Sequence, residues 1–202
     1  MFPTDAPLSI RLVRHLLARG EILAARDCLD FLSQAPNPPP EPLVAQIQLR
    51  FSTSEIPIAK ALMDRATRAG ADSPGDHHLH AMLLQFSSKL DQACDVLEKC
   101  LQRWPHFGDA AMVLVNLRKQ KPESNRLDFV REQRRRLPEG SHNQNDKFVR
   151  AEFEYALFKI LDDLGRHDEA WSALARCNAL MHEVNPYDAD GGAAVVKAHG
   201  HA

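Results

Sequence analysis

Residues 20–32 read GEILAARDCLDFL, and the same spacing returns as SEIPIAKALMDRA over residues 54–66 and as SKLDQACDVLEKC over residues 88–100. Each stretch begins with a small residue, has an aliphatic residue at its third position and alanine at its sixth, and carries Leu or Met at its tenth. The three stretches start 34 residues apart. A fixed period of this length is typical of stacked repeats that each consist of two antiparallel helices. The sequence therefore predicts an all-α solenoid.

The pattern extends over most of the chain as about five helix hairpins. In each hairpin we expect a first helix, helix A, before the small residue and a second helix, helix B, around the alanine. The fourth hairpin is the poorest match, because Leu127 takes the alanine position and Pro122 stands near the expected turn. We predict one domain over residues 1–187 and a C-terminal tail over residues 188–202. The repeats are predicted at about residues 6–36, 41–71, 74–105, 107–138 and 146–182.

The repeated pattern resembles that of the tetratricopeptide repeat (TPR) family over about residues 8–182. The resemblance implies a right-handed superhelix in which the A helices line a concave groove, where peptides or helices of partner proteins bind. The chain departs from the family early in helix A, where a large aromatic residue is expected. Those positions hold Ser9, Leu43, His77, Ala111 and Glu154, and the position four residues later holds Val13, Ile47, Ala81, Val115 and Phe158.

A narrower resemblance covers residues 152–188. FEYAL at residues 153–157 and LDDLGRHDEAW at residues 161–171 resemble the last repeat before the catalytic domain of bacterial TPR-containing sulfotransferases. In that family a strand and a loop of the form P-x-[FI]-[IV]-x-G-x-x-R-S-G-[ST], which binds the 5′-phosphosulfate group, would follow, and no such motif occurs here. The alternative function is therefore a truncated or recruiting TPR subunit of a sulfotransferase-type enzyme, without an activity of its own.

The candidate partner-binding residues are those of helix A that should face the groove. They mix apolar side chains with single charges, which suits an extended peptide or a helix, although some could instead pack between neighbouring repeats. By register they are Ile10, Arg14, Leu17, Val44, Gln48, Phe51, His78, Met82, Gln85, Met112, Asn116, Lys119, Tyr155, Lys159 and Asp162.

Three further groups have both a structural and a functional interpretation. Asn116 and Lys119 hint at a clamp for a terminal carboxylate, but Arg14 and Lys159 lie too far along the array to complete it. His77, His78 and His80 suggest a metal site by spacing, but no carboxylate or cysteine stands at ligand spacing nearby, and packing or solvated histidines explain them better. The range 118–136 carries eight Lys or Arg against three acids, which could attract an acidic partner or a phosphate, or could simply be a solvated face.

Composition narrows the function classes. The 25 basic and 27 acidic residues give a net charge of −2, which does not favour nucleic-acid binding. The sequence has no apolar run long enough for a membrane span and no secretory signal, so we expect a cytoplasmic protein. The four cysteines lack metal spacing and are expected to be small buried residues in a reducing compartment.

No motif of a catalytic site, metal or cofactor is found, so we predict a non-catalytic protein-interaction module. The last repeat offers Trp171 and Met181 as a surface through which the solenoid ends could associate into a homo-oligomer.

Overall fold

The computed structural model describes residues 5–34 and 38–186 of the chain. These residues form ten α-helices and no β-strand, which confirms the predicted all-α class and the number of helices expected for about five helix pairs. The helices are α1 (Ala6–Ala18), α2 (Ile22–Ser33), α3 (Pro40–Ser52), α4 (Ile56–Arg68), α5 (Pro74–Phe86), α6 (Leu90–Arg103), α7 (Gly108–Leu117), α8 (Leu127–Arg136), α9 (Gln144–Asp163) and α10 (His167–Val184).

The chain divides into two compact units, Met1–Trp104 with α1 to α6 and Pro105–Ala202 with α7 to α10. The sequence pattern predicts one domain over residues 1–187. Near residue 104 its only interruption is the Trp104-Pro105 step, which closes the third repeat. The predicted tail over residues 188–202 lies outside the described residues.

The small residue of the repeat marks a left-handed turn between the two helices of a hairpin. The backbone angle φ is 79° at Gly20, 62° at Ser54, 58° at Ser88 and 74° at Gly165. In all four hairpins the next residue donates its backbone N–H over 2.9 Å to the carbonyl oxygen five positions earlier, as in a Schellman cap. Gly20 and Gly165 adopt the left-handed conformation without penalty, whereas Ser54 and Ser88, which carry a Cβ, bear a cost of about 1–2 kcal/mol.

The alanine of the repeat lies where helices A and B pack together. Ala25, Ala59 and Ala93 are fully buried, and Ala170 is almost so. The opposing helix A positions Val13, Ile47 and Ala81 are also fully buried, whereas Phe158, which takes this position before Ala170, is half-buried. The aliphatic residues at the third position, Ile22, Ile56 and Leu90, instead begin helix B, and the first and last of them are exposed.

A charged side chain is buried between the first two hairpins. Arg50 of α3 has no exposed surface, and its guanidinium lies 2.6 Å from Asp30 of α2 and 2.8 Å from Glu55 in the turn before α4. A buried guanidinium is tolerated only when it is paired and hydrogen-bonded. The two carboxylates provide that pairing and connect the hairpins.

The fourth hairpin departs from the others, as its sequence suggests. Helices α7 and α8 both pack against α9 and pack little against each other. Leu127, the residue in the alanine column, begins α8 and does not lie at a close crossing. The connection between α7 and α8 contains an isolated bridge between Lys121 and Ser124.

Helices α7 and α9 meet closely at Gly108. A Cβ at Gly108 would lie 2.8 Å from the Cβ of Glu152 and still closer to its carboxyl group, so only glycine fits. Burial raises the pKa of Glu152 to about 9, assisted by a hydrogen bond to Asp109 and by the negative charge of that residue. Glu152 is therefore protonated at neutral pH in the folded protein.

We predict opposite effects for two glycine substitutions. Gly165→Ala should lower the free energy of unfolding by about 1 kcal/mol, because a Cβ has no neighbour there and only the left-handed backbone is penalised. The control Gly75→Ala, inside α5 with an ordinary φ, should raise stability by up to about 1 kcal/mol through helix propensity. Urea unfolding measures both, and equal effects of the same sign would contradict this description of the turn.

Glu152 should give the protein a measurable pH dependence. The folded-state pKa of Glu152 is about 9 and lies above the unfolded value of about 4.5. The contribution of Glu152 to the free energy of unfolding is therefore fully present below the unfolded pKa and is lost as the pH rises towards 9. Glu152→Gln should remove this loss, because glutamine does not ionise. The difference in free energy of unfolding between the variant and the parent should therefore grow in favour of the variant, by up to about 1.4 kcal/mol per pH unit. Urea unfolding at several pH values between the two pKa values tests this, with Glu123→Gln at an exposed position as the control. A difference independent of pH would show that Glu152 is already ionised.

Candidate partner-binding surfaces

In the first unit, helix α3 packs against both α1 and α5. Between α3 and the start of α5 lies an open cleft of about 570 Å³. Val44 and Gln48, both predicted binding residues, line it. Its other lining residues are Pro40, Glu41, Ala45, Gly70, Ala71, Asp72, Ser73 and Asp76, so it has an apolar wall, three carboxylates and no cation.

An aromatic pair lies at the carboxyl ends of α3 and α5. The rings of Phe51 and Phe86 meet edge to face with centroids 5.1 Å apart. Phe51 was predicted to face the groove, whereas Phe86 falls one position outside the register and was missed. Phe86 keeps 60% of its surface exposed, which is unusual for a large apolar side chain. The repeat spacing carries no signal for its exposure.

The other predicted residues of the first unit differ in exposure. Ile10 is buried in the core formed by α1, α2 and α3, so its assignment to the binding surface is corrected, because its side chain turns inward with Val13. Leu17 packs against the same core and remains partly exposed. Arg14 is exposed, and the side chains of His78, Met82 and Gln85 are half-buried.

In the second unit, α7 and α9 bring several predicted residues into contact. The Tyr155 hydroxyl donates to the side-chain carbonyl of Asn116 over 3.5 Å, and the Asn116 amide donates to the carbonyl oxygen of Met112. Lys159 pairs with Asp163 at 2.5 Å, and Asp163 also accepts the backbone N–H of Gln120. Burial raises the pKa of Asp163, but these two contacts outweigh it and lower the pKa overall.

The remaining three predicted residues of this unit lie around that seam. Met112 is half-buried, Lys119 is exposed, and Asp162 faces the imidazole of His167 at 3.4 Å. The carboxylate clamp gains no support from these contacts, since Asn116 and Lys159 are both engaged within the unit and Arg14 belongs to the other one.

Two residues of the histidine group, His77 and His80, have contacts or burial within the first unit. His77 contacts a carboxylate oxygen of Asp72 at 2.9 Å and lies against Trp104, with ring centroids 5.3 Å apart. The guanidinium of Arg103 covers the same indole at 4.4 Å and also pairs with Asp72. Burial lowers the pKa of His80, which favours its neutral form. Within residues 5–34 and 38–186, no three His, Cys, Asp or Glu residues are grouped as metal ligands.

Several arginines of the basic range 118–136 form ion pairs, and each acid involved is shared between two arginines. Arg135 and Arg136 pair with Glu132 on their own helix, and Arg131 pairs with Glu169 of α10. Arg134 reaches Glu154, a carboxylate of α9 without exposed surface, which Arg176 of α10 also contacts. The interpretation of this range as a solvated face therefore holds for part of it and is wrong for Arg134, because Arg134 contacts a buried carboxylate.

The four cysteines are free thiols, and all but Cys94 are buried. Burial raises the pKa of Cys100 to about 11, so its thiol stays protonated at neutral pH. On α10, Trp171 is 71% exposed and Met181 is also exposed, as the oligomer hypothesis requires. No helix in the described residues has the length and apolar character needed to cross a bilayer.

Comparison of the sequence with protein-family models and with curated proteins gives no match. Among solved structures, the chain is similar to the TPR-like repeats of a putative kinesin light chain from Podosopora anserina, with a TM-score of 0.65 and 13% identity over 89% of this chain and 96% of that one. It is similar to MamA from Desulfovibrio magneticus RS-1, with a TM-score of 0.55 and 15% identity over 94% of this chain and 100% of that one.

It is also similar to YrrB, described as a TPR protein with an unusual peptide-binding site, with a TM-score of 0.52 and 12% identity over 90% of this chain and 87% of that one. Sequence identities this low are evidence for a shared fold and for nothing further. They confirm the TPR resemblance at that level and do not address the sulfotransferase resemblance, which stays a prediction. The chain has the helix-hairpin fold of the tetratricopeptide proteins.

Proposed function

We propose that the protein is a protein-interaction module that binds a peptide or a partner helix on the helix-A face of its first unit. The observation that carries this proposal is the cleft between α3 and α5 together with the exposed Phe86 ring. Val44, Gln48 and Phe51 lie on one stripe of α3, at spacings of four and three residues, and this stripe runs from the cleft to the aromatic pair.

The surface combines features that recognise an extended chain or an amphipathic helix. A flat ring at Phe86 can bury an apolar side chain, and Gln48 provides a donor and an acceptor that fix orientation. Glu41 and Asp76 make the cleft negative, since Asp72 is already paired with Arg103, and this favours a lysine or arginine in the bound segment. The occupant is therefore an apolar segment with a cationic residue.

The second unit supplies a further helix-A face, where Met112 and Tyr155 are half-buried and Lys119 is exposed. This surface has the mixed apolar and charged character of the first one. The similarity to YrrB supports peptide binding as a function that this fold can perform. Binding energy should come from a few apolar anchors, as in other protein interfaces.

Peptides selected from a displayed random library on the full chain provide the test. Phe86→Ala should weaken the selected peptides by about thirtyfold, the equivalent of about 2 kcal/mol for a central apolar anchor. Glu41→Lys should weaken those that contain Lys or Arg. Fluorescence polarisation of labelled peptides gives the dissociation constants.

The matched control is Leu23→Ala, since Leu23 is 75% exposed on α2 and belongs to a B helix. It should leave the affinities unchanged, and circular dichroism should show all variants folded. If Phe86→Ala and Gln48→Ala bind the selected peptides as well as the parent, the helix-A face of the first unit is not the binding surface.

A further inference from the structure

The second unit contains a cleft that lies over α9, between the B helices α8 and α10. Its volume is about 400 Å³, and Leu157 and Leu161 of α9 form its apolar floor. Four arginines and two acids line it, together with Ser172. They are Arg131, Arg134, Arg135, Arg176, Asp168 and Glu169.

Two of these arginines are held by one buried carboxylate. Glu154 has no exposed surface, and its two oxygens accept from the Nε of Arg134 at 2.5 Å and the Nε of Arg176 at 3.0 Å. Removing a carboxylate from water requires compensation by opposite charge and hydrogen bonds. One guanidinium would neutralise the charge, so the second leaves a local surplus of one positive charge.

The contacts leave most of the donor capacity of both side chains available. A guanidinium carries five N–H donors, and each of these two uses only Nε within the described residues. The terminal Nη groups of Arg134 and Arg176 make no hydrogen bond there, although both residues line the cleft. Their Nε contacts to Glu154 restrict the rotation of both side chains, so a ligand would pay little entropy to engage them.

When Glu154 is counted with the residues that line the cleft, four arginines face three carboxylates, so a surplus of one positive charge remains. Glu169 is shared between Arg131, at 3.1 Å, and Arg166, at 2.6 Å. It therefore repeats the arrangement of one acid between two arginines. Planar guanidinium groups bind carboxylate and phosphate oxygens in pairs, which makes such a cluster selective for oxyanions.

We propose that this cleft binds an oxyanion, a phosphate monoester or a carboxylate on a peptide partner, between the Nη groups of Arg134 and Arg176. The apolar floor formed by Leu157 and Leu161 would contact the side chain next to the anionic group. This site is separate from the helix-A face of the first unit, because only residues of α8, α9 and α10 form it. An anionic ligand in this cleft would contact the basic range 118–136 through Arg134.

NMR spectroscopy of the arginine Nε–H groups in the full chain tests the site. Inorganic phosphate is titrated first, followed by short peptides that differ only in a central phosphoserine, glutamate or serine. The signals of Arg134 and Arg176 should shift and saturate with phosphate and with at least one acidic peptide, but not with the serine peptide. The tighter of the two acidic peptides identifies the source of the oxyanion.

The matched variants are Arg176→Gln in the cleft and Arg136→Gln, which lies on α8 outside it. The first should weaken binding by about tenfold or more, as expected for a charge-assisted hydrogen bond, and the second should leave it unchanged. Affinity should fall as salt concentration rises.

If Arg176→Gln does not fold, the signals of the parent protein decide the result. The absence of saturation, equal shifts at Arg136, or binding of phosphate without either acidic peptide would overturn the proposal. The peptides selected for the first unit provide an independent readout, so failure at one surface is distinguishable from failure at the other.

Discussion

The close crossing of the two helices in a hairpin is the constraint on which the rest of the molecule depends. Alanine at residues 25, 59, 93 and 170 lets helices A and B approach at a buried point, and a larger side chain there would cost about 1–3 kcal/mol of strain. The left-handed residue five positions earlier reverses the chain before that crossing. Together they place one face of each A helix outside the hairpin core, which creates the surfaces available for binding.

The repeat spacing predicted what depends on local sequence. It located the left-handed turns, the buried alanines and the fully buried positions of helix A, because each is set by residues within one hairpin. It also indicated that the fourth hairpin departs from the pattern, since Leu127 cannot occupy a close crossing. Ile10 was assigned to the surface because register alone does not say how far a helix is rotated towards its core.

The remaining features depend on pairs of residues far apart in the sequence. Phe86 becomes notable only when the end of α5 meets Phe51, and Asp72 becomes the partner of His77 only through the loop before α5. Glu154 was recognised as a departure from the expected aromatic residue, but its two arginines lie 20 and 22 residues away on different helices. Spacing within a repeat carries no information about such contacts.

The units carry buried charges of opposite sign. In the first, Arg50 stands between two acids, and in the second Glu154 stands between two arginines. In the first unit Arg26 also lies 3.7 Å from Glu55, so two acids face two arginines there, whereas Glu154 is one acid between two arginines. The net charge of −2 for the whole chain does not reveal the positive surplus at Glu154.

The two tryptophans of the chain fall one in each unit. Trp104 is half-buried against His77 and beneath Arg103, whereas Trp171 is largely exposed on α10. Their intrinsic fluorescence therefore differs in emission wavelength and in access to a soluble quencher. A change in emission on unfolding should therefore come mainly from Trp104, so the intrinsic fluorescence of an unlabelled sample reports the unfolding of the first unit.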